Sequence, residues 1–232
     1  VSLLNSDLSL DIGATIVHAE KVEKLGVVPA FNGSTSQGQS LGIEDKKKLI
    51  KEILKKKFKN LLIATACNSL HDTINLIRYS LDQGYKGAFL IMNPAYGSPE
   101  DKGVYNFFSN IQKAVSCKIV LYNFSKLGAG YAFSPEIVKK LVGEFGTEAF
   151  IGMKDSNSTG NCWENLKINE FCMMVGSEIN LLKNLSLGGT GCISATTQIC
   201  PSLARKVFEE KNQKDYEKMC AIRKAFDATG NL

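Results

Sequence analysis

The sequence predicts an α/β protein built on a parallel sheet, a (β/α)8 barrel, and three observations lead there. Seven short apolar runs of strand length lie along the 232 residues, helical sequence separates each run from the next, and no glycine-rich phosphate loop follows the first run. Runs that are apolar throughout belong to strands covered on both faces, and strict strand–helix alternation is the pattern of a parallel sheet wrapped by helices. An open doubly wound sheet usually carries a glycine fingerprint after its first strand. That place here holds Phe31-Asn32-Gly33-Ser34-Thr35-Ser36-Gln37-Gly38, so the barrel is favoured, with one strand lost or obscured at the N-terminus. Residues 1–232 read as a single domain with no internal boundary.

A helix over Ile12 to Leu25 precedes the first strand, Val27–Phe31. Ile43 to Asn60 carries eight lysines among Leu49, Ile50, Ile53, Leu54 and Phe58, the spacing of an amphipathic helix with a solvated basic face. Strands are then expected at Leu61–Ala66, Ala88–Met92, Lys118–Tyr122, Ala149–Met153, Met173–Val175 and Cys192–Ala195. The helices between and after them run from Leu70 to Gln83, Lys102 to Val115, Ser134-Pro135 onward, Ile179 to Leu187, Pro201 to Glu210 and Asp215 to Ala228. Ser134 followed by Pro135 is a capping residue with proline at the first helical position.

Composition excludes several classes. Hydrophobic content of 44% and charged content of 22% are those of a globular protein, and a net charge of +5 is too mild to argue for nucleic acid. The seven cysteines, Cys67, Cys117, Cys162, Cys172, Cys192, Cys200 and Cys220, form no CxxC pair and are odd in number. They read as small hydrophobes in a reducing compartment, so a cytoplasmic location is expected. With two histidines, His18 and His71, and no metal-ligand spacing, no metal is expected. No apolar stretch is long enough for a membrane span.

In such barrels the chemistry sits where the strands end. The run Ala149-Phe150-Ile151-Gly152-Met153 ends in Lys154 and is followed by the turn formers Asp155-Ser156-Asn157-Ser158-Thr159-Gly160. A lysine in that position either snorkels to solvent or, once desolvated and unprotonated, attacks a carbonyl. The other strand ends deliver Ser34 and Thr35, then Thr65 and Asn68, then Tyr96 by way of Asn93-Pro94-Ala95, then Tyr122. An amine beside tyrosines and hydroxyls suits imine chemistry, with a tyrosine moving protons and the hydroxyls cradling a carboxylate. Taken singly, Tyr122 reads equally as a core tyrosine, Ser34-Thr35 as a turn, and Tyr96 as a loop anchor. Gly188-Gly189-Thr190-Gly191 reads as close packing or as a phosphate cradle.

Five segments in this order resemble the dihydrodipicolinate synthase / N-acetylneuraminate lyase family of pyruvate-dependent Schiff-base aldolases. Gly33-Ser34-Thr35-Ser36-Gln37 is similar to its G-[ST]-T-G-E motif, Asn93-Pro94-Ala95-Tyr96 to its P-x-Y segment, and Leu121-Tyr122-Asn123 to its Y-N strand end. Gly152-Met153-Lys154-Asp155-Ser156 is similar to G-x-K-[DE]-[ST], and Gly188 to Ser194 to G-G-x-G-x-I-S. The resemblance implies a class I aldolase in which Lys154 forms an imine with pyruvate and Tyr122 shuttles the proton. It also implies that Gly33, Ser34, Thr35 and Ile193 bind substrate, and that Tyr96 completes a relay across a subunit interface. It implies no cofactor, an aldehyde as second substrate, and a homotetramer or dimer.

The first activity it implies is 4-hydroxy-tetrahydrodipicolinate synthase-like condensation of pyruvate with aspartate semialdehyde, in lysine biosynthesis. A 2-keto-3-deoxy sugar-acid aldolase or N-acetylneuraminate lyase is the alternative. Further alternatives are a non-catalytic keto-acid sensor and an unrelated phosphosugar barrel using Gly188 to Gly191. The sequence departs from the motifs at Ser36 and Gln37, and Phe124-Ser125-Lys126-Leu127-Gly128-Ala129-Gly130 follows Asn123 without the synthases' arginine. Lys126 offers a point charge in place of a bidentate fork. The resemblance also implies a first strand before Val1 and helices beyond Leu232, so a barrel trimmed at both ends is expected.

Overall fold

The computed structural model describes residues 1–157 and 166–229. Cys162 and the turn formers Ser158 to Gly160 lie outside them. Seven strands form one sheet: β1 (Ala30–Phe31), β2 (Leu62–Ala64), β3 (Ala88–Met92), β4 (Lys118–Asn123), β5 (Phe150–Asp155), β6 (Cys172–Val175) and β7 (Gly191–Cys192). They stand side by side in chain order and every pairing is parallel. Among the described residues the α-helices are α1 (Ile12–Lys24), α2 (Ile43–Leu54), α3 (Leu70–Asp82), α4 (Asp101–Ala114), α5 (Pro135–Phe145), α6 (Leu181–Ser186), α7 (Pro201–Glu210) and α8 (Gln213–Ala228).

Alternation along the strands separates two cores. On β3 and β4, Phe89, Ile91, Ile119 and Leu121 point outward and pack with Leu49, Ile77, Phe108 and Val138 of the helix layer. Leu90, Val120 and Tyr122 point inward, where they meet Ala64. A third cluster, Leu181, Ala204, Val207 and Met219, joins α6, α7 and α8. Ser69 and Ser134 cap α3 and α5 by accepting from the Asp72 and Ile137 N–H groups, and Pro135 opens α5.

The outer strands are shorter than expected. The first was expected over Val27–Phe31 and the last over Cys192–Ala195, yet β1 and β7 hold two residues each. They are the two edges of the sheet and are not bonded to each other, so each finds ladder partners on one side alone. Among the described residues the sheet holds the seven strands read from the sequence, and its two edges are not joined to each other. A further correction concerns the solvated basic face of α2. Lys46 is buried, and its ammonium donates to the carbonyls of Thr65 (3.2 Å) and Ala66 (2.7 Å) at the end of β2. Loss of hydration displaces the Lys46 pKa downward.

Candidate active site

Lys154 owes its direction to an irregularity. Ile119 of β4 pairs with Phe150 of β5, but the next residue, Val120, pairs with Gly152, so Ile151 is an extra residue in β5. A side-chain period of two means that one inserted residue exchanges the faces beyond it. Continued without the bulge, Tyr122 would pair with Met153 and Lys154 would face the helices. With it, Tyr122 pairs with Lys154, Asn123 pairs with Asp155, and Met153 joins the outer core. Lys154 turns inward, buried, with its Nζ 4.0 Å from the centroid of the Tyr122 ring. Gly152 allows this, because a Cβ there would collide with the Cys172 carbonyl of β6.

The Tyr122 hydroxyl shares a 3.1 Å hydrogen bond with the Ser34 hydroxyl. Ser34 and Thr35 lie in the single turn Ser34–Ser36 that follows β1, and Gly33 stands at its start. Gly38 closes the turn against the Asn32 carbonyl, leaving no room for a side chain at that position. Asn32 has φ +58° and is fully buried, with neither end of its amide bonded to protein. It lines a cavity of about 20 Å³, room for one water, together with Ser34, Thr65, Asn93 and Tyr122.

Outside this inner face lies a second layer. Asn123 Nδ2 donates to Asp155 Oδ1 (3.2 Å), and Asn123 Oδ1 accepts from the Phe133 N–H (3.1 Å). The Asn157 N–H also donates to Asp155 Oδ1 (3.0 Å), while Asn157 Oδ1 accepts from the Ser125 N–H (2.9 Å) and hydroxyl (2.8 Å). Burial pushes the Asp155 carboxyl up to about 6, against a smaller opposing effect of its two hydrogen bonds.

A cavity of about 740 Å³ runs along the sheet between β1 and β7, and Gly33, Ser34, Thr35, Lys154 and Ile193 all line it. The segment bearing Ile193 and Ser194 is anchored by Arg223 of α8, which donates to Ser194 Oγ (3.2 Å) and pairs with buried Glu178 (3.4 Å). The structure thus brings together six of the seven residues singled out from the sequence. Tyr96 stands apart: it is 93% exposed on the loop after β3 and makes no hydrogen bond among the described residues. Gly189 packs against Asn184, whose amide donates to the carbonyls of Met173 and Gly191. Sequence reasoning missed the roles of Asn32, Asn123 and Asp155. The signal available was their polarity inside apolar strand ends, each next to a residue already singled out. Among the described residues no cluster of His, Cys, Asp and Glu is placed to hold a metal, and no helix is long and apolar enough to cross a membrane.

Comparison with known proteins gives this geometry a family. The sequence profile of the dihydrodipicolinate synthetase family matches residues 26–228. The chain belongs to that family. Among curated relatives of this dihydrodipicolinate synthetase family member, the 4-hydroxy-tetrahydrodipicolinate synthase of Methanopyrus kandleri is 30% identical over 83% of the chain and 64% of its own length. That of Bartonella bacilliformis is 29% identical over 83% of the chain and 65% of its own. The chain thus spans just under two thirds of these synthases. The 2-dehydro-3-deoxy-D-gluconate/2-dehydro-3-deoxy-phosphogluconate aldolase of Picrophilus torridus is 24% identical over 93% of the chain and 80% of its own length. The fold matches the Aquifex aeolicus dihydrodipicolinate synthase, with a TM-score of 0.85 at 20% identity over 99% of this chain and 78% of that one. It also matches a prophage protein of the family from E. coli K12 in complex with pyruvate, with a TM-score of 0.84 at 23% identity over 96% and 76%.

Proposed function

We propose that the protein is a class I aldolase or lyase that holds pyruvate as an imine on Lys154. The observation that carries this reading is the arrangement of an inward, buried amine directly over a tyrosine whose hydroxyl is bonded to Ser34. The Lys154 nitrogen would attack C2 of pyruvate, forming the C–N bond, and the carbonyl oxygen would leave as water. The protonated imine then withdraws electrons from C3, and loss of a C3 proton gives the enamine that adds to an aldehyde. Tyr122 is placed to carry that proton, with Ser34 as its hydrogen-bonding partner. Gly33, Ser34 and Thr35 offer N–H and hydroxyl donors to the pyruvate carboxylate, and Ile193 borders the cavity opposite them. Sodium borohydride with pyruvate, read by mass spectrometry, tests this. A reduced adduct on Lys154, absent in Lys154→Ala, is expected, and no adduct on folded protein overturns the reading.

For the second substrate we keep the synthase-like condensation with aspartate semialdehyde first, supported by the synthases among the relatives. A sugar-acid aldehyde is the second reading, favoured by one observation. The loop after β4 carries Lys126, exposed, and no arginine to grip a second carboxylate. A panel of both aldehydes with the trapped-pyruvate assay separates them. Tyr96, exposed as it is, fits a relay completed by a second copy of the chain, in a dimer or tetramer.

A further inference from the structure

We infer that Asp155, with Asn123, is a positioning pair that holds Tyr122 and Lys154 at their working separation, and that the pair does so best with Asp155 ionised. The inference rests on the imine reading of Lys154 and deepens it. Tyr122 and Asn123 are consecutive on β4, Lys154 and Asp155 are consecutive on β5, and each residue is the register partner of its counterpart. The inner pair carries the chemistry. The outer pair is joined by a hydrogen bond and buried, with Asn123 2% and Asp155 5% exposed. A change in the Asn123–Asp155 contact therefore moves two neighbouring Cα positions, and with them the amine and the phenol.

The outer pair also ties down the loops. Asp155 Oδ1 receives Asn157, Asn157 holds Ser125 of the loop after β4, and Asn123 holds the Phe133 N–H ahead of α5. The ladder continues past the strands, where the Ser156 N–H donates to the Asn123 carbonyl (2.8 Å) and the Gly176 N–H to the Asp155 carbonyl (2.7 Å). Both side-chain bonds to Asp155 end on a single oxygen, so their strength depends on the charge it carries; a carboxylate is a stronger acceptor than a carboxylic acid.

Among the described residues the groups that meet this carboxyl are uncharged. They are the Asn123 amide from β4 and the Asn157 N–H from the loop after β5, with the Val175–Gly176 end of β6 alongside. Neither a cation nor a second carboxylate contributes to its displacement among the described residues, and burial is the dominant cause. The carboxyl therefore titrates close to 6, at the lower edge of ordinary working pH. Protonation would weaken both accepted bonds and loosen β4 against β5 at the level of the amine.

The test needs pyruvate alone, so it does not depend on the second substrate. In deuterium oxide, exchange of the pyruvate methyl hydrogens, followed by NMR, reports imine formation and C3 proton transfer together. Saturating exchange by the parent protein is expected to fall as pH drops through about 6. Asp155→Asn keeps an acceptor oxygen but has no charge to lose. It is expected to exchange about ten-fold more slowly at pH 8, to show no limb near 6, and to keep its pyruvate KM within a few-fold. Borohydride adduct formation on Lys154 and the thermal midpoint are measured alongside. A merely structural role would lower the midpoint and leave the pH limb in place. An Asp155→Asn protein with parental exchange at pH 8, or with the limb near 6 retained, overturns the inference while the adduct on Lys154 leaves the imine reading standing. Absence of any adduct in the parent removes both.

Discussion

The two sides of this barrel are built to different standards. On one side β4 and β5 run six residues each, paired along their length and locked at their ends by Asn123, Asp155 and Asn157. On the other, β1 and β7 hold two residues each, do not bond to one another, and border a cavity of about 740 Å³. The amine and the tyrosine stand on the first side, and the residues proposed to meet the substrate, Gly33, Ser34, Thr35 and Ile193, stand in turns on the second. Groups that must meet within tenths of an ångström are carried by rigid strands, whereas groups that admit and hold a ligand are carried by loops that can adjust.

Two glycines break that comparison most sharply. Gly152, beside the bulge in β5, has no space for a side chain, because the Cys172 carbonyl of β6 lies against it. Gly33, in the turn after β1, has φ −69° and a Cβ there would meet nothing within 4 Å. Gly152→Ala is expected to destabilise the protein by about 3 kcal/mol and to abolish the borohydride adduct, since β5 must shift where it aims Lys154. Gly33→Ala is expected to change stability by less than about 0.5 kcal/mol. Chemical denaturation of both variants decides this. Equal losses would mean that the β4–β5 wall is no stiffer than the β1 side.

The two tyrosines come next. Tyr122 is buried on β4 and bonded to Ser34, whereas Tyr96 is 93% exposed on the loop after β3. Tyr122→Phe should retain the Lys154 adduct and slow methyl exchange of pyruvate by about 10²-fold, the scale of a lost general acid–base group. Tyr96→Phe should slow it by about ten-fold, the scale of one hydrogen bond in a relay, and only at protein concentrations where copies associate. Unchanged exchange in Tyr122→Phe removes that tyrosine from proton transfer, and unchanged exchange in Tyr96→Phe at every concentration removes the shared relay.

How much of this was legible follows the same division. Strands buried on both faces announce themselves as apolar runs, so β3, β4 and β5 are found within two residues of where the sequence puts them. Lys154 and Tyr122 are legible because a charge or phenol at the end of such a run has few explanations. The bulge at Ile151 is not legible, because Phe150-Ile151-Gly152-Met153 is apolar on either register and only the β4 partner reveals which residue is extra. For the same reason the sequence places Lys154 at a strand end without saying which face it takes. Nor is burial of Lys46 legible, since eight lysines between Ile43 and Asn60 look solvated until Thr65 and Ala66 present two carbonyls to one of them. The edges β1 and β7 were overextended because apolar composition there reflects the cavity wall as much as the ladder.

The smallest expected effect sharpens the account of the rigid side. The Asp155 carboxyl stands at about 6 in the folded protein, above its ordinary 3.8. A raised value means that the fold binds this proton more tightly than the unfolded chain does. The stabilisation from that proton is complete below about pH 4 and is lost as pH rises through 6. Above it the fold carries a buried carboxylate, a cost of about 3 kcal/mol by the size of the displacement. Asp155→Asn should therefore raise the thermal midpoint at pH 8, and the gain should shrink to nothing by pH 4, where the parent carboxyl is already neutral. A midpoint difference that ignores pH would show that the Asp155 carboxyl titrates in the fold as it does in the unfolded chain, with no displacement. The expected crossing has a direct meaning for the β4–β5 wall. Where Asp155→Asn is the more stable protein and the slower one, the wall keeps a charge that weakens the fold because that charge holds Lys154 and Tyr122 in place.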